Sequence, residues 1–136
     1  MVKPEEVIIS KRLSATASIY TCELSAIYEA LISIPPETHS AVIITDSLSA
    51  LQGIQDLQTP NALIGDIQRE ILQLQGMQTA ISLCWVPSHV GVPGNEMADK
   101  AALDATTGRR FGSPELPYSD FYPLIKKKIR TKWQDV

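Results

Sequence analysis

Cysteine, histidine and aromatic residues are scarce in this chain of 136 residues: two Cys, two His, and only 6% Phe, Trp and Tyr together. Cys22 and Cys84 cannot supply a disulfide framework, and without a Cys-x-x-Cys or His-x-x-x-His pair they seed no zinc site with His39 and His89. One falls at a helix start and the other in a buried strand, positions that suit reduced thiols. So few aromatics exclude a stacking platform for single-stranded nucleic acid. No run of about eighteen or more apolar residues is present to cross a membrane. The N-terminus, with Lys3 beside Glu5 and Glu6, does not read as a signal peptide. The expectation is an intracellular chain of cytoplasm or nucleus, not secreted and with no membrane partner.

Basic residues are also missing over most of the length. Arg69 is the one base between Arg12 and Lys100. Residues 1–99 carry four bases against eleven acids, whereas residues 100–136 carry eight against four, so a net charge of −3 conceals an acidic body and a basic tail. Arg109, Arg110, Lys126, Lys127 and Lys128 suffice for weak, salt-dependent phosphate contact. The ordinary alternative is a solvated helix face. Phe121, Leu124, Ile125, Ile129 and Trp133 line the other side, so residues 114–136 read as a basic amphipathic helix appended to a domain over 1–113.

That domain alternates apolar strands with amphipathic helices, an α/β pattern. Leu24, Ile27, Tyr28 and Leu31 repeat at helical spacing behind Glu23, and Pro35-Pro36 ends that helix. Ala41 to Thr45 is an apolar strand closed by Asp46. A helix from Ser47 turns Leu48, Leu51 and Ile54 inward, and another runs from Pro60 to Gly76 through Leu63, Ile64, Ile67, Ile71 and Leu74. Ile81 to Val86 reads as a strand buried on both faces, parallel to and beside the Ala41 strand. Pro87 stops it, a loop with His89, Gly91, Pro93 and Gly94 follows, and a helix begins near Asn95 with Ala98, Ala101, Ala102 and Ala105 on one face. Asp99 then sits one turn into this helix, close to the strand.

Glu23, Asp46 and Asp99 thus fall at a helix mouth, a strand's carboxyl end and a helix's first turns, where open α/β sheets bind ligands. Taken singly, each has a plainer reading: Glu23 as an acid answering a helix dipole, Asp46 with Ser47 as a helix cap, His89 as an idle loop histidine. Asn95 and Glu96 serve equally as helix-start polar residues or as groups ordering the loop.

Three blocks, Thr21-Cys22-Glu23-Leu24-Ser25-Ala26-Ile27, Ile43-Ile44-Thr45-Asp46-Ser47 and Trp85 to Asp99, resemble in order and spacing the ribonuclease H domain of non-LTR retrotransposon reverse transcriptases. The resemblance extends to the end of the chain through Leu116-Pro117-Tyr118-Ser119-Asp120. It implies two-metal hydrolysis of the RNA strand of an RNA–DNA hybrid, with Mg2+ as the expected ion and Mn2+ as a substitute. It implies that Glu23, Asp46 and Asp99 bind metal, that His89 assists proton transfer or product release, and that Ser47, Asn95 and Glu96 order the loop or touch substrate. The implied partners are the hybrid and the reverse transcriptase domain of a parent polyprotein.

The sequence departs from the family in one respect. The family's first catalytic Asp lies on a first strand, and none of the twenty-two residues before Glu23 is Asp. Val7 to Leu13 aligns with the family's third strand. The expectation is a partial, N-terminally truncated ribonuclease H-like fold with a depleted mixed sheet and impaired cleavage, or else a non-catalytic remnant or nucleic-acid-binding module.

Overall fold

A computed structural model of the chain describes residues 8–106, 116–121, 123 and 126. Their elements run in the order α1 (Ile19–Ile32), β1 (Ser40–Thr45), α2 (Leu48–Gln55), α3 (Ala62–Gly76), β2 (Ala80–Trp85), α4 (Pro93–Ala105) and a 3-10 turn at Tyr118–Phe121. β1 and β2 pair in parallel, Ala41 opposite Ile81 and Thr45 opposite Trp85, as two apolar strands joined by helices should. Four helices around a parallel pair make a partial ribonuclease H-like α/β fold.

The core follows from side-chain period. Leu24, Ile27 and Leu31 of α1 meet Ala50 and Ile54 of α2 and Leu63, Ile64, Ile67 and Leu74 of α3, and Ile43, Ile81 and Leu83 of the strands close the cluster from one side. Strand residues alternate faces. Val42 and Ile44 therefore point away from that core and are 61% and 53% exposed, with Ser82 and Cys84 exposed beside them. The reading of the Ile81 run as buried on both faces is corrected here. Among the described residues the helices of the core cover a single face, so Cys84 is an exposed free thiol, as is Cys22.

Helix ends follow local chemistry. Asn61 Oδ1 accepts from the Leu63 and Ile64 N–H groups at 3.0 and 3.4 Å and starts α3. Gly76 is its last helical residue, and the chain reverses at Gln78, whose φ of 66° is the left-handed conformation usual for glycine. In α2, Leu48 is half exposed because it occupies the first turn, and Ala50 and Ile54 carry the burial instead.

Two expectations are displaced. Ile8 to Leu13 forms no regular strand: Arg12 makes a single bridge, while Lys11 pairs with Glu29 of α1 at 2.6 Å. α4 begins at Pro93, and of its small-residue face only Ala105 is buried. Ala98 and Ala102 are exposed, and Asp99 is only partly buried. Val7, Arg109, Arg110, Lys127, Lys128 and Trp133 lie outside the described residues. Pro123 and Lys126 are helical, and Lys126 is exposed.

Candidate functional site

Glu23 is placed by the way α1 starts. Ser18 caps the helix, its Oγ accepting from the Thr21 N–H at 3.1 Å. Asp120, from the far end of the chain, seals the same turn: its Oδ2 accepts from the Ser18 N–H at 3.0 Å and from the Thr21 hydroxyl at 2.6 Å. Glu23 lies just inside this clamped end and is half buried. Burial chiefly, and then the Asp46 and Asp99 charges, push its carboxyl above the ordinary range. The neighbouring Cys22 thiol is pushed up by burial, Glu23 and Asp120, which makes it a poor nucleophile.

Asp46 follows β1 directly. Capping of α2 falls to Ser47, whose Oγ accepts from the Ala50 N–H at 3.3 Å, so the Asp46 carboxylate is not spent on the helix. Two side chains fix it from β2 and α4. Trp85 Nε1 donates to the Asp46 carbonyl at 3.1 Å, and Asn95 Nδ2 donates to Asp46 Oδ2 at 3.2 Å. Asn95 is buried, which makes it the pin between α4 and the end of β1.

Asp99 projects from the second turn of α4. Its Oδ2 is shut off from solvent without a hydrogen-bond partner and stands 3.5 Å from His89 Nδ1, an ion-pair spacing. His89 is exposed on the loop before α4 at φ 54°. Glu96, also exposed, precedes Asp99 by one helical turn.

The structure thus brings Asp46 and Asp99 within electrostatic reach of Glu23 from separate elements, with Asn95 attached to Asp46 and His89 to Asp99. Ser47 serves as a helix cap. Of the tail bases only Lys126 is among the described residues, and among those residues Cys22, Glu23, His39, Asp46 and Cys84 join no group of metal-ligating side chains within 4.8 Å of one another. Sequence reasoning missed Trp85 and Asp120. Trp85 belongs to the most specific block, but nothing in a sequence says that its indole turns back to the Asp46 carbonyl. Asp120 acts across 99 residues and leaves no local signal.

Ionised carboxylates only accept hydrogen bonds, and the Asp46 and Asp99 charges that act on the Glu23 carboxyl are of the kind a hard divalent cation relieves. The donor chemistry, all oxygen, is what such an ion takes, but among the described residues the side chains gathered within 4.8 Å of one another are His89, Glu96 and Asp99, and Glu23 and Asp46 are not in that group.

The chain is 36% identical over 83 residues to the Gag-Pol polyprotein of Bovine immunodeficiency virus (strain R29), a stretch that is 61% of this chain and spans 5% of the polyprotein. A family model described as RNase H matches residues 1–107, which include α1, β1 and α4 with Glu23, Asp46 and Asp99, and the chain belongs to the RNase H family.

Proposed function

We propose that this chain is a divalent-metal-dependent ribonuclease H module of a retroelement polyprotein, acting on the RNA strand of an RNA–DNA hybrid beside a reverse transcriptase domain. The observation that supports the reading most is that Glu23 of α1 lies where the charges of Asp46, after β1, and Asp99, on α4, reach it. Family membership and the polyprotein relative support it.

These three residues hold magnesium, or manganese in its place. Such ions, when bound, would supply the positive charge that favours attack by water and departure of the 3′ oxygen. Asp46, fixed by Trp85 and Asn95, sits where phosphate and metal are shared. Glu23 would orient the attacking water, and Asp99 would be a ligand of the second ion. His89, with Nδ1 toward Asp99, leaves Nε2 to exchange a proton with product or solvent. Tail bases contact phosphate weakly. The fourth carboxylate that the resemblance calls for is absent from this sequence, so the proposal includes weak cleavage by the chain alone.

The test is cleavage of a labelled RNA strand in an RNA–DNA hybrid by the purified chain with magnesium or manganese. Slow metal-dependent cleavage that Asp46→Asn abolishes supports the proposal. A folded protein that binds hybrid and leaves it intact is a non-catalytic binding module, and the enzymatic reading fails.

A further inference from the structure

We infer that the Asp120 clamp turns the basic end of the chain into an arm of the carboxylate site, one that takes the phosphodiester backbone of a duplex on the Glu23 side. Residues 1–99 carry four bases against eleven acids, and two of those bases are already paired, Lys11 with Glu29 and Arg69 with Asp66. A body of that charge repels an approaching polyanion. Beyond Asp120 the balance inverts: Lys126, Lys127, Lys128, Arg130 and Lys132 stand against Asp135 alone. The family match ends at residue 107, so this part of the chain lies past it.

An unattached basic tail adds only diffuse attraction. This one is attached. Asp120 is 8% exposed, and its Oδ2 accepts both the Ser18 N–H and the Thr21 hydroxyl at the start of α1. Its own N–H donates to the Pro117 carbonyl at 3.0 Å within the 3-10 turn, and Pro117 and Pro123 restrict the backbone on either side of Asp120. Thr21 precedes Glu23 on α1 by about 3 Å along the helix axis. The anchor therefore lies within one helical turn of a site carboxylate.

The reach is short. Lys126, exposed and helical, follows Asp120 by six residues. That is about 9 Å of helical chain, or at most about 21 Å if extended, and a nucleic-acid strand advances about 3.4 Å per phosphate. The first base of the run is thus held about three to six phosphates from the anchor. A lysine ammonium meets phosphate as a point charge and reads no base, so the arm fixes where the duplex lies and not which sequence it has. The choice of an RNA–DNA hybrid as that duplex rests on the proposed function, whereas the phosphate contact does not.

The experiment is fluorescence anisotropy of a labelled RNA–DNA hybrid with the full chain in EDTA, which withholds metal and leaves the hybrid whole. Lys126→Ala/Lys127→Ala/Lys128→Ala should weaken binding by about tenfold or more and lower the slope of log affinity against log salt by about 2–3. Asp120→Ala supplies the deciding sign. It removes a negative charge, so electrostatics without an anchor predicts tighter binding, whereas a released arm loses its placement and affinity should fall by about threefold or more. A Gly-Ser-Gly-Ser-Gly-Ser insertion after Phe121 keeps the clamp and every charge, and it should weaken binding to a similar degree. Circular dichroism confirms that each variant is folded. Affinity unmoved by the lysine substitutions, or raised by Asp120→Ala and indifferent to the insertion, overturns the arm. Hybrid bound through the anchored arm but never cleaved with magnesium or manganese upholds the arm and sinks the nuclease. Metal-dependent cleavage with binding indifferent to all three changes does the reverse.

Discussion

Removing the Asp120 carboxylate should loosen the start of α1 and, with it, the placement of Glu23. One oxygen, Oδ2, accepts both the Ser18 N–H at 3.0 Å and the Thr21 hydroxyl at 2.6 Å. Hydrogen bonds to a charged group contribute about 1.5–3 kcal/mol each, so the two together bound the loss at about 3–6 kcal/mol. Part of this returns, because water reaches the freed Ser18 N–H and the Thr21 hydroxyl keeps a neighbour in Ser18 Oγ at 3.1 Å. Asp120→Ala should therefore cost about 2–3 kcal/mol, a fall of roughly 6–12 °C in Tm for a chain of this size. Asp120→Asn retains an acceptor without the charge and should lose about half as much.

Urea unfolding followed by circular dichroism reads these values. The acid limb supplies a second readout. Burial works to raise the Asp120 carboxyl, but the bonds from Thr21 and Ser18 outweigh it and hold the group below its ordinary value. Its stabilisation is complete above the unfolded value of about 3.9 and disappears as pH falls through the lower folded one. Wild type and Asp120→Ala should therefore converge in strong acid. A difference under about 0.5 kcal/mol at pH 7, or one that persists unchanged in strong acid, would refute the clamp.

Glu23 behaves in the opposite sense. Its carboxyl is raised in the folded chain, so its charge opposes folding above the unfolded value of about 4.3, and Glu23→Gln should raise the urea midpoint at pH 7 with a gain that fades toward pH 4. Added magnesium should stabilise the wild type and have less effect on Glu23→Gln, as thermal unfolding will show. At Gly53, a β-carbon would lie 2.1 Å from Tyr20 Oη and 3.1 Å from Ile64 Cδ1, so Gly53→Ala should cost about 1–3 kcal/mol. Tyr20→Phe in the same chain removes the nearest atom and should restore roughly 1 kcal/mol, a coupling that a double-mutant cycle measures.

The helices of the core were legible because their apolar residues keep a clean period. Leu24, Ile27 and Leu31 are the buried face of α1, and Leu63, Ile64, Ile67 and Leu74 that of α3. The pairing of β1 with β2 was legible from two apolar strands bracketing helices. Which faces of the strands are covered was not. Val42, Ile43 and Ile44 are all apolar, so periodicity could not show that Ile43 alone among them turns toward the core. α4 misled for the reverse reason: alanines at helical spacing imply a packed face, but burial of so little apolar surface gives them weak purchase. Within the site, Glu23, Asp46 and Asp99 stood out through their blocks. The bonds that position them come from Asn95, Trp85 and Asp120, and each of these crosses between segments remote in sequence.

The pairing of Ser40 with Ala80 sets an order of events during folding. β1 can find no strand neighbour in β2 until α2 and α3 have been made and have folded back, and contacts so distant in sequence close late and slowly. Leu24 and Ile67 are as far apart in sequence, but α3 is complete before β2 is made, so on a growing chain α1 and α3 can dock earlier. Asp46 receives its two anchors only after Trp85 and Asn95 have emerged, so a growing chain holds a formed core before the Asp46 carboxylate is fixed in place. During synthesis the apolar strand Ala41–Thr45 waits unpaired in the meantime, the interval in which such an edge is most open to a wrong partner.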